Sequence, residues 1–334
     1  MRRILPLLFL VGTALMGSCS LTLFNYSNIV SNHYALVYGV TIYDATSSAG
    51  VYPNLNYPGS DASAVAAMLA AEGYAVKSKW IDSNGEEWLN GQDKGPLSGD
   101  LTNYTYAPTK ANIAADLSAM GNVVGSNDVF VFYFSGHGMQ DTGQSPPVEY
   151  FVPEGAVNSG GGGSESLSIS DSEFGAMLAP ISSNRKVVIL DTCNSGGFIG
   201  NSLEADSIPA VSLGSSGGIS LQALAQALSN FLSFPASTPG LSPYGGAMVL
   251  SAAGRDESCY EASAPYFHGV MTYYLLQAPQ SGDLNHDGHV TVAEAFSLVK
   301  AGIESDWNSN STVQANGWTF EPRISGGPID FVLW

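Results

Sequence analysis

The chain has 334 residues, 45% of them hydrophobic, enough to bury a full core and too apolar for a disordered or fibrous protein. Eleven lysines and arginines stand against 29 acidic residues, a formal net charge of −18; this excludes the basic footprint of a nucleic-acid binder and favours the steering of basic substrates. There are three cysteines, Cys19, Cys193 and Cys259, of which the last two remain able to pair if the first is modified; a disulfide-stapled scaffold is not expected, because a chain of this length has a core of its own.

The N-terminus, "MRRILPLLFLVGTALMGSCS", sets two arginines before an apolar run from Ile4 to Met16 and then small residues up to Cys19. Residues 1–18 read as an export signal, too short and wrongly flanked for a spanning helix. Cys19 after Gly17 and Ser18 is similar to a bacterial lipobox, with Met16 where leucine is usual. The resemblance implies that Cys19 is lipidated and holds an exported domain on a membrane, facing the periplasm or cell surface, through a tether of residues 19–32. An ordinary cleaved secretory peptide is the alternative. Removing residues 1–18 takes away Arg2 and Arg3, which leaves nine basic against 29 acidic residues and a net charge of −20. No other stretch is long and apolar enough to span a membrane.

The first strand is expected in "HYALVYGVTIY", residues 33–43, followed by a small-residue helix that Asp61 opens and Gly73 closes. "AVKSKWI" forms a second strand, and residues 83–108, rich in Gly, Asn and Pro, a loop or hairpin excursion. Ile113, Leu117 and Met120 recur at helical spacing before the strong strand "DVFVFYF". A short strand "EYFVP", a glycine run at 160–163 and a helix over 171–180 lead to the buried strand "KVVILD". Serine, glycine and proline dominate residues 194–245 apart from a helical "ISLQALAQALSNFL", after which "AMVLSAA" is a core strand and 267–277 a helix. Strands alternating with helices in this rhythm predict an α/β fold, a mostly parallel sheet covered by helices on both faces.

In such sheets reactive groups gather where strands end. His137 follows one strong strand and Cys193 the next, so an imidazole and a thiol reach one edge, the pair a nucleophilic thiolate needs. Gly136 and Gly138 allow a sharp turn and leave room for a substrate chain, while Ser195, Gly196 and Gly197 keep the far side of the thiol open. The backbone N–H groups of Gly138 and Cys193 are candidates for an oxyanion hole. Alone, each residue has a bland reading, a structural histidine or a small buried thiol; their pairing argues for catalysis. Cys259 is read as structural, and His33, His268, His286 and His289 lack a partner motif.

"YFSGHG" and "ILDTCNSGG" resemble the His and Cys motifs of caspase-like cysteine peptidases, in the metacaspase-like bacterial branch. "ALVYGVTIYDATSSAGVYPNLNYPGSDASAVAAML" is similar to that family's first strand and helix, and "MVLSAAGRDESCYE" with "HGVMTYYLL" to its closing strand and helix. The resemblance covers residues 33–278 and implies a three-layer caspase-like sandwich carrying a cysteine endopeptidase, with Cys193 as nucleophile and His137 as acid and base. It further implies preference for arginine or lysine before the cleaved bond, with Asp61 and Asp191 lining the pocket. A carboxylate pair is better satisfied by a guanidinium than left unpaired. Asp191 could instead orient a loop, and Asp61 could cap a helix. Asn194 stands where many metacaspases carry histidine, a departure that bears on the subfamily. Legumain-like cleavage after asparagine or aspartate, or a catalytically idle binding module on the same fold, are the competing functions. Many relatives cut themselves at basic residues after the nucleophile strand. Between Lys186 and Arg255 this chain has no lysine or arginine, so it is expected to work as one chain.

"DLNHDGHVTVAE", residues 283–294, fits the twelve-position EF-hand loop. Asp283, Asn285 and Asp287 take positions one, three and five, Gly288 the turn, His289 the carbonyl position, Thr291 position nine and Glu294 the bidentate twelfth. The expected ligand is Ca2+, held in a C-terminal segment, 279–334, that packs on the peptidase domain. A polar loop without an ion is the alternative. The other expected partner is a protein or peptide substrate, with no nucleic acid and no organic cofactor.

Overall fold

The computed structural model describes residues 31–43, 52–97, 106–143, 145, 147–156, 167–193, 195, 246–254, 256–325 and 330–334. All of them belong to one compact unit, Ser31–Trp334. The export signal, Cys19, Asn194, Gly196, Gly197, the glycine run and the helical stretch inside 194–245 lie outside the described residues, as does most of the tether. No helix among the described residues is long and apolar enough to cross a membrane.

The centre of the molecule is an eight-stranded sheet. Strands β1 (His33–Val40), β2 (Ala75–Ile81), β5 (Val129–Ser135), β9 (Arg185–Asp191) and β10 (Met248–Ser251) run parallel. The hairpin β3 (Glu86–Leu89) and β4 (Gln92–Pro96) extends one edge, and β13 (Arg323–Ser325) adds antiparallel to the other. The order is β13-β10-β9-β5-β1-β2-β3-β4. The fold class is the mostly parallel α/β sandwich that the alternation of elements predicts.

A side-chain period of two explains why the central strands read as unbroken apolar runs. In β5, Val129, Val131 and Tyr133 point into one core, while Phe130, Phe132 and Phe134 point into the other; Val187 and Ile189 of β9 divide from Val188 and Leu190 in the same way. The first core is closed by α1 (Pro58–Ala71), α4 (Val270–Leu275), the short α5 (Ala278–Ser281) and α6 (Val292–Gly302), and the second by α2 (Lys110–Gly121) and α3 (Asp171–Leu178). Burying a ring such as Phe132 or Phe174 contributes roughly 1.5–3 kcal/mol, and their centroids lie 4.6 Å apart. Val290, Phe296 and Phe331 share the first core with Leu69 and Met271, so the segment after 278 packs as part of the same body.

Some local boundaries differ from those the sequence suggests. The first strand ends at Val40, and α1 starts at Pro58, which favours the first helical position. Asp61 therefore lies inside the first turn and caps nothing, its carboxylate turned toward other elements. The stretch after residue 267 begins with a short strand, β12 (His268–Gly269), paired to β11 (Glu261–Ala262), and becomes helical only at Val270. A second small sheet, β6 (Gly138–Asp141), β7 (Val148–Phe151) and β8 (Ile169–Ser170), leaves the end of β5.

Candidate active site

The register between β5 and β9 sets the geometry of the candidate site. Ser135 pairs with Asp191 at the carboxyl ends of the two strands, so His137 and Cys193, each two residues on, leave the sheet at the same height. The Gly136 N–H still donates to the Asp191 carbonyl at 3.3 Å. The chain then turns into β6, where a Cβ placed on Gly138 would overlap the Cys193 carbonyl oxygen. Glycine stands at 138 because the two backbones touch there, and at 136 because a Cβ would lie 2.7 Å from the Tyr43 hydroxyl. Val152 N–H donates to the His137 carbonyl at 2.9 Å, which makes the Gly138–Phe151 pair a non-hydrogen-bonded one and turns the Gly138 N–H away from β7.

His137 is held by aromatic neighbours and a carbonyl. Its ring centroid lies 4.9 Å from that of Tyr43 and 5.3 Å from that of Tyr52. The His137 N–H donates to the Tyr43 hydroxyl at 2.8 Å, and that hydroxyl donates to the Val152 carbonyl at 3.1 Å. Nε2 is 2.7 Å from the Pro53 carbonyl oxygen, an acceptor only, so this nitrogen carries the proton of the neutral ring and Nδ1 keeps the lone pair. Burial lowers the His137 pKa, which keeps the ring neutral at neutral pH.

The Cys193 thiol bonds to a different partner. Its sulfur lies 3.7 Å from the Cys259 sulfur and 3.7 Å from the Cys259 carbonyl. The bond from the Cys259 thiol is the largest influence on Cys193, lowering its pKa to about 7 against the opposing effect of burial. The Cys259 thiol is pushed well up, so at neutral pH Cys259 is the donor and Cys193 carries a substantial thiolate fraction. Cys259, read from the sequence as structural, is thus in contact with the candidate nucleophile. Nothing local in "RDESCYE" marks it, because the contact spans 66 residues.

Asp61 from α1 and Asp191 from β9 converge at Gly269. Both are buried, at 1% and 4% exposure, and both carboxylates face Gly269 at the start of α4, where a Cβ would meet them. The Thr272 hydroxyl and N–H donate to Asp191 Oδ2 at 2.6 and 3.1 Å; Ser135 Oγ and the Gly269 N–H donate to Asp61. Burial raises both pKa values, that of Asp191 to about 7 with the Asp61 charge adding to the effect. Two carboxylates sharing one buried site leave a deficit of positive charge. The His268 ring meets this pair, its Nδ1 2.7 Å from Asp61 Oδ1; the histidine that seemed to lack a partner motif has a contact 207 residues away. Glu261 also escaped the sequence reading: its carboxylate accepts from the Asn56 and Tyr57 N–H groups and from the Asn56 amide, bracing the entry to α1.

The loop 283–294 turns at Gly288, with φ of 88°, and His286 is also left-handed. Asp283 accepts from the Asp287 and Gly288 N–H groups, Asn285 from Asp287, and Asp287 from His289, which folds the oxygen donors inward over the loop. Glu294 accepts from Asn285 and Thr291 N–H and forms a capping box with Thr291 at the start of α6. Among the described residues, no three His, Cys, Asp or Glu side chains are already drawn into a metal cluster. Val290 exchanges backbone bonds with the end of the chain, donating to the Trp334 carbonyl at 2.6 Å and accepting from the Leu333 N–H at 2.7 Å. The lone loop thus pairs with the chain's own C-terminus.

Comparison with known proteins bears on the fold and the family. The caspase-domain model of peptidase family C14 matches residues 32–315. The crystal structure of protein GSU0716 from Geobacter sulfurreducens superimposes with a TM-score of 0.51 at 15% identity, over 89% of this chain and 95% of that one; at that identity the likeness speaks to fold alone. No curated protein matches the chain.

Proposed function

The chain belongs to the caspase-domain family of cysteine peptidases, and from that premise we propose that it is an endopeptidase with Cys193 as nucleophile and His137 as acid and base, cleaving after arginine or lysine. The observation that carries this reading is the paired end of β5 and β9, which delivers both side chains to one edge in register. The Cys193 thiolate attacks the scissile carbonyl, and the Gly138 and Cys193 N–H groups receive the developing oxyanion. The neutral His137 ring, its Nε2–H held by Pro53, takes the Cys193 thiol proton at Nδ1 to complete the thiolate, gives it to the leaving amine and then activates the water that releases the acyl group. A guanidinium or ammonium on the substrate enters against Asp191 and Asp61, replacing an unfavourable carboxylate pair with a charge-assisted one.

The test is turnover by the full-length chain of fluorogenic peptides ending in arginine, lysine, asparagine or aspartate. Cleavage after arginine or lysine is expected, with Cys193→Ala and His137→Ala each losing at least about 10³-fold, the scale on which catalytic groups act. The protein itself should stay one chain on a denaturing gel, since residues 187–254 hold no basic residue. Turnover only after asparagine or aspartate would establish the legumain-like specificity. No turnover, with Cys193 unlabelled by a peptide electrophile, would leave a binding module.

Export and lipidation at Cys19 complete the proposal: an enzyme anchored to a membrane and facing the periplasm or cell surface. Calcium is the proposed ligand of the 283–294 loop. The support is the donor chemistry, with carboxylate or carboxamide oxygens at positions one, three, five and twelve, and the left-handed Gly288 at the turn. Asp283, Asn285, Asp287, the His289 carbonyl, Thr291 and Glu294 would hold the ion, which supplies positive charge to a strongly acidic loop. Saturating calcium is expected to raise the melting temperature, by about 2.7 kcal/mol of stability at a hundredfold excess over Kd. Glu294→Gln and Asp287→Ala should each remove the response. A melting temperature indifferent to calcium and chelator would dispose of the site.

A further inference from the structure

We propose that Cys193 and Cys259 form a reversible redox pair, in which Cys259 captures the oxidised form of Cys193 as a disulfide, switching the enzyme off and guarding its nucleophile. Among the described residues these two are the free cysteines, and their sulfurs lie 3.7 Å apart in van der Waals contact. A disulfide needs a sulfur separation of about 2.05 Å. The gap is a little under two ångströms, and residues 257–260 around Cys259 belong to no helix or strand, so side-chain rotation with a small backbone adjustment closes it. Both residues are half-buried, and Cys193 is the sulfur that a small oxidant has to reach. The effect on activity rests on the peptidase reading above; formation of the bond does not.

The chemistry balances with a hydroperoxide as oxidant and a small-molecule thiol as reductant. The Cys193 thiolate attacks a peroxide oxygen; an S–O bond forms, the O–O bond breaks, and the leaving hydroxide or alkoxide takes up a proton. Sulfur has lost two electrons and the peroxide has gained them. Cys259 then attacks the sulfenic sulfur, the S–S bond forms, the S–O bond breaks, and hydroxide departs with the Cys259 proton as water. Two equivalents of reductant thiol return both cysteines to thiols and leave as their own disulfide. Without Cys259 the sulfenic acid has no thiol at hand, and further peroxide carries it to sulfinic acid, which thiols do not reverse. The same residue that donates a hydrogen bond to the working thiolate is thus the residue placed to resolve its oxidation.

The experiment oxidises the reduced full-length chain with hydrogen peroxide, blocks remaining thiols with iodoacetamide, and maps peptides by mass spectrometry without reduction, with activity followed alongside. The expected product is a Cys193–Cys259 linked peptide about 2 Da lighter than its two thiol components, with activity lost and then restored by dithiothreitol. In Cys259→Ala and Cys259→Ser, Cys193 should appear about 32 Da heavier as sulfinic acid, and recovery of activity should fall at least tenfold below that of the wild type. The map of the wild type needs no variant to fold. Sulfinic Cys193 in the wild type with no linked peptide would overturn the proposal, as would equal recovery in the Cys259 variants. A linked peptide in a chain with no turnover supports the redox pair while removing the peptidase reading, so the two failures are told apart.

Discussion

Gly138→Ala is expected to remove at least about 10²-fold of kcat/KM, the cost that a displacement of about 1 Å can impose on an aligned active site. The alanine methyl would overlap the Cys193 carbonyl oxygen and come within 3.0 Å of both the Cys193 carbonyl carbon and the Thr192 hydroxyl. The first two of these are backbone atoms with little freedom to swing aside. Either β6 moves outward, carrying the Gly138 N–H from the oxyanion position, or Cys193 moves and the thiol loses its height relative to His137. Overpacking of this kind typically also costs about 1–3 kcal/mol of stability. Gly143→Ala, two residues beyond the end of β6, is the control: its methyl would approach only the Asp141 side chain, at 3.1 Å, and activity should hold. The measurement is kcat/KM on an arginine peptide together with the rate of Cys193 labelling by a peptide electrophile. Retention of activity within about twofold by Gly138→Ala would show that the contact does not align the site.

Asp191→Asn should give opposite effects on activity and stability. The variant keeps an acceptor oxygen for Thr272 but no charge, so kcat/KM on arginine and lysine peptides should fall by about 10² or more, on the scale of a charge-assisted pair lost from a buried site. Its stability should rise relative to the wild type at alkaline pH. The folded-state pKa of Asp191 is raised to about 7 by burial, then by the Asp61 charge, above an unfolded value of about 3.9. A raised carboxyl favours the folded state fully below the unfolded pKa and loses that contribution as pH climbs through the folded one. The wild type should therefore weaken between about pH 4 and 7 by a component the asparagine variant lacks, on the order of a few kcal/mol. Thermal melts of both proteins at pH 5 and pH 8 read this directly. The kcat/KM of the wild type on basic peptides should rise through pH 7 with more than one ionisation, Cys193 and Asp191 both contributing, and the variant should retain the shallower rise of the thiol. Unchanged cleavage after arginine by Asp191→Asn would remove Asp191 from the specificity pocket.

The proposed specificity pair and the proposed redox pair lie within one small volume. Asp191 ends β9 two residues before Cys193, and Asp61, Gly269 and Thr272 pack around its carboxylate. A basic substrate would thus bind where ionised carboxylates are least comfortable in the free protein, so part of its binding relieves a cost already present in the fold.

The parallel sheet, the strands that carry His137 and Cys193, and the glycines around them were legible in the amino-acid sequence. Each depends on short-range regularities: β-branched and aromatic runs that must be buried on both faces, and turns that tolerate no side chain. The turn of the 283–294 loop at Gly288 was legible for the same reason, a fixed local spacing. Tertiary structure alone decided what meets across long separations. His268 belongs with Asp61, Cys259 with Cys193, Glu261 with the start of α1, and the C-terminal Leu333 and Trp334 with Val290. No periodicity encodes such contacts, because they arise when separate elements pack on the two faces of one sheet and set their ends side by side. The register of β5 on β9 joins the two levels. Hydrophobic patterning makes each a central strand, and their packing brings Ser135 level with Asp191, so that an imidazole and a thiol 56 residues apart in the chain share one edge.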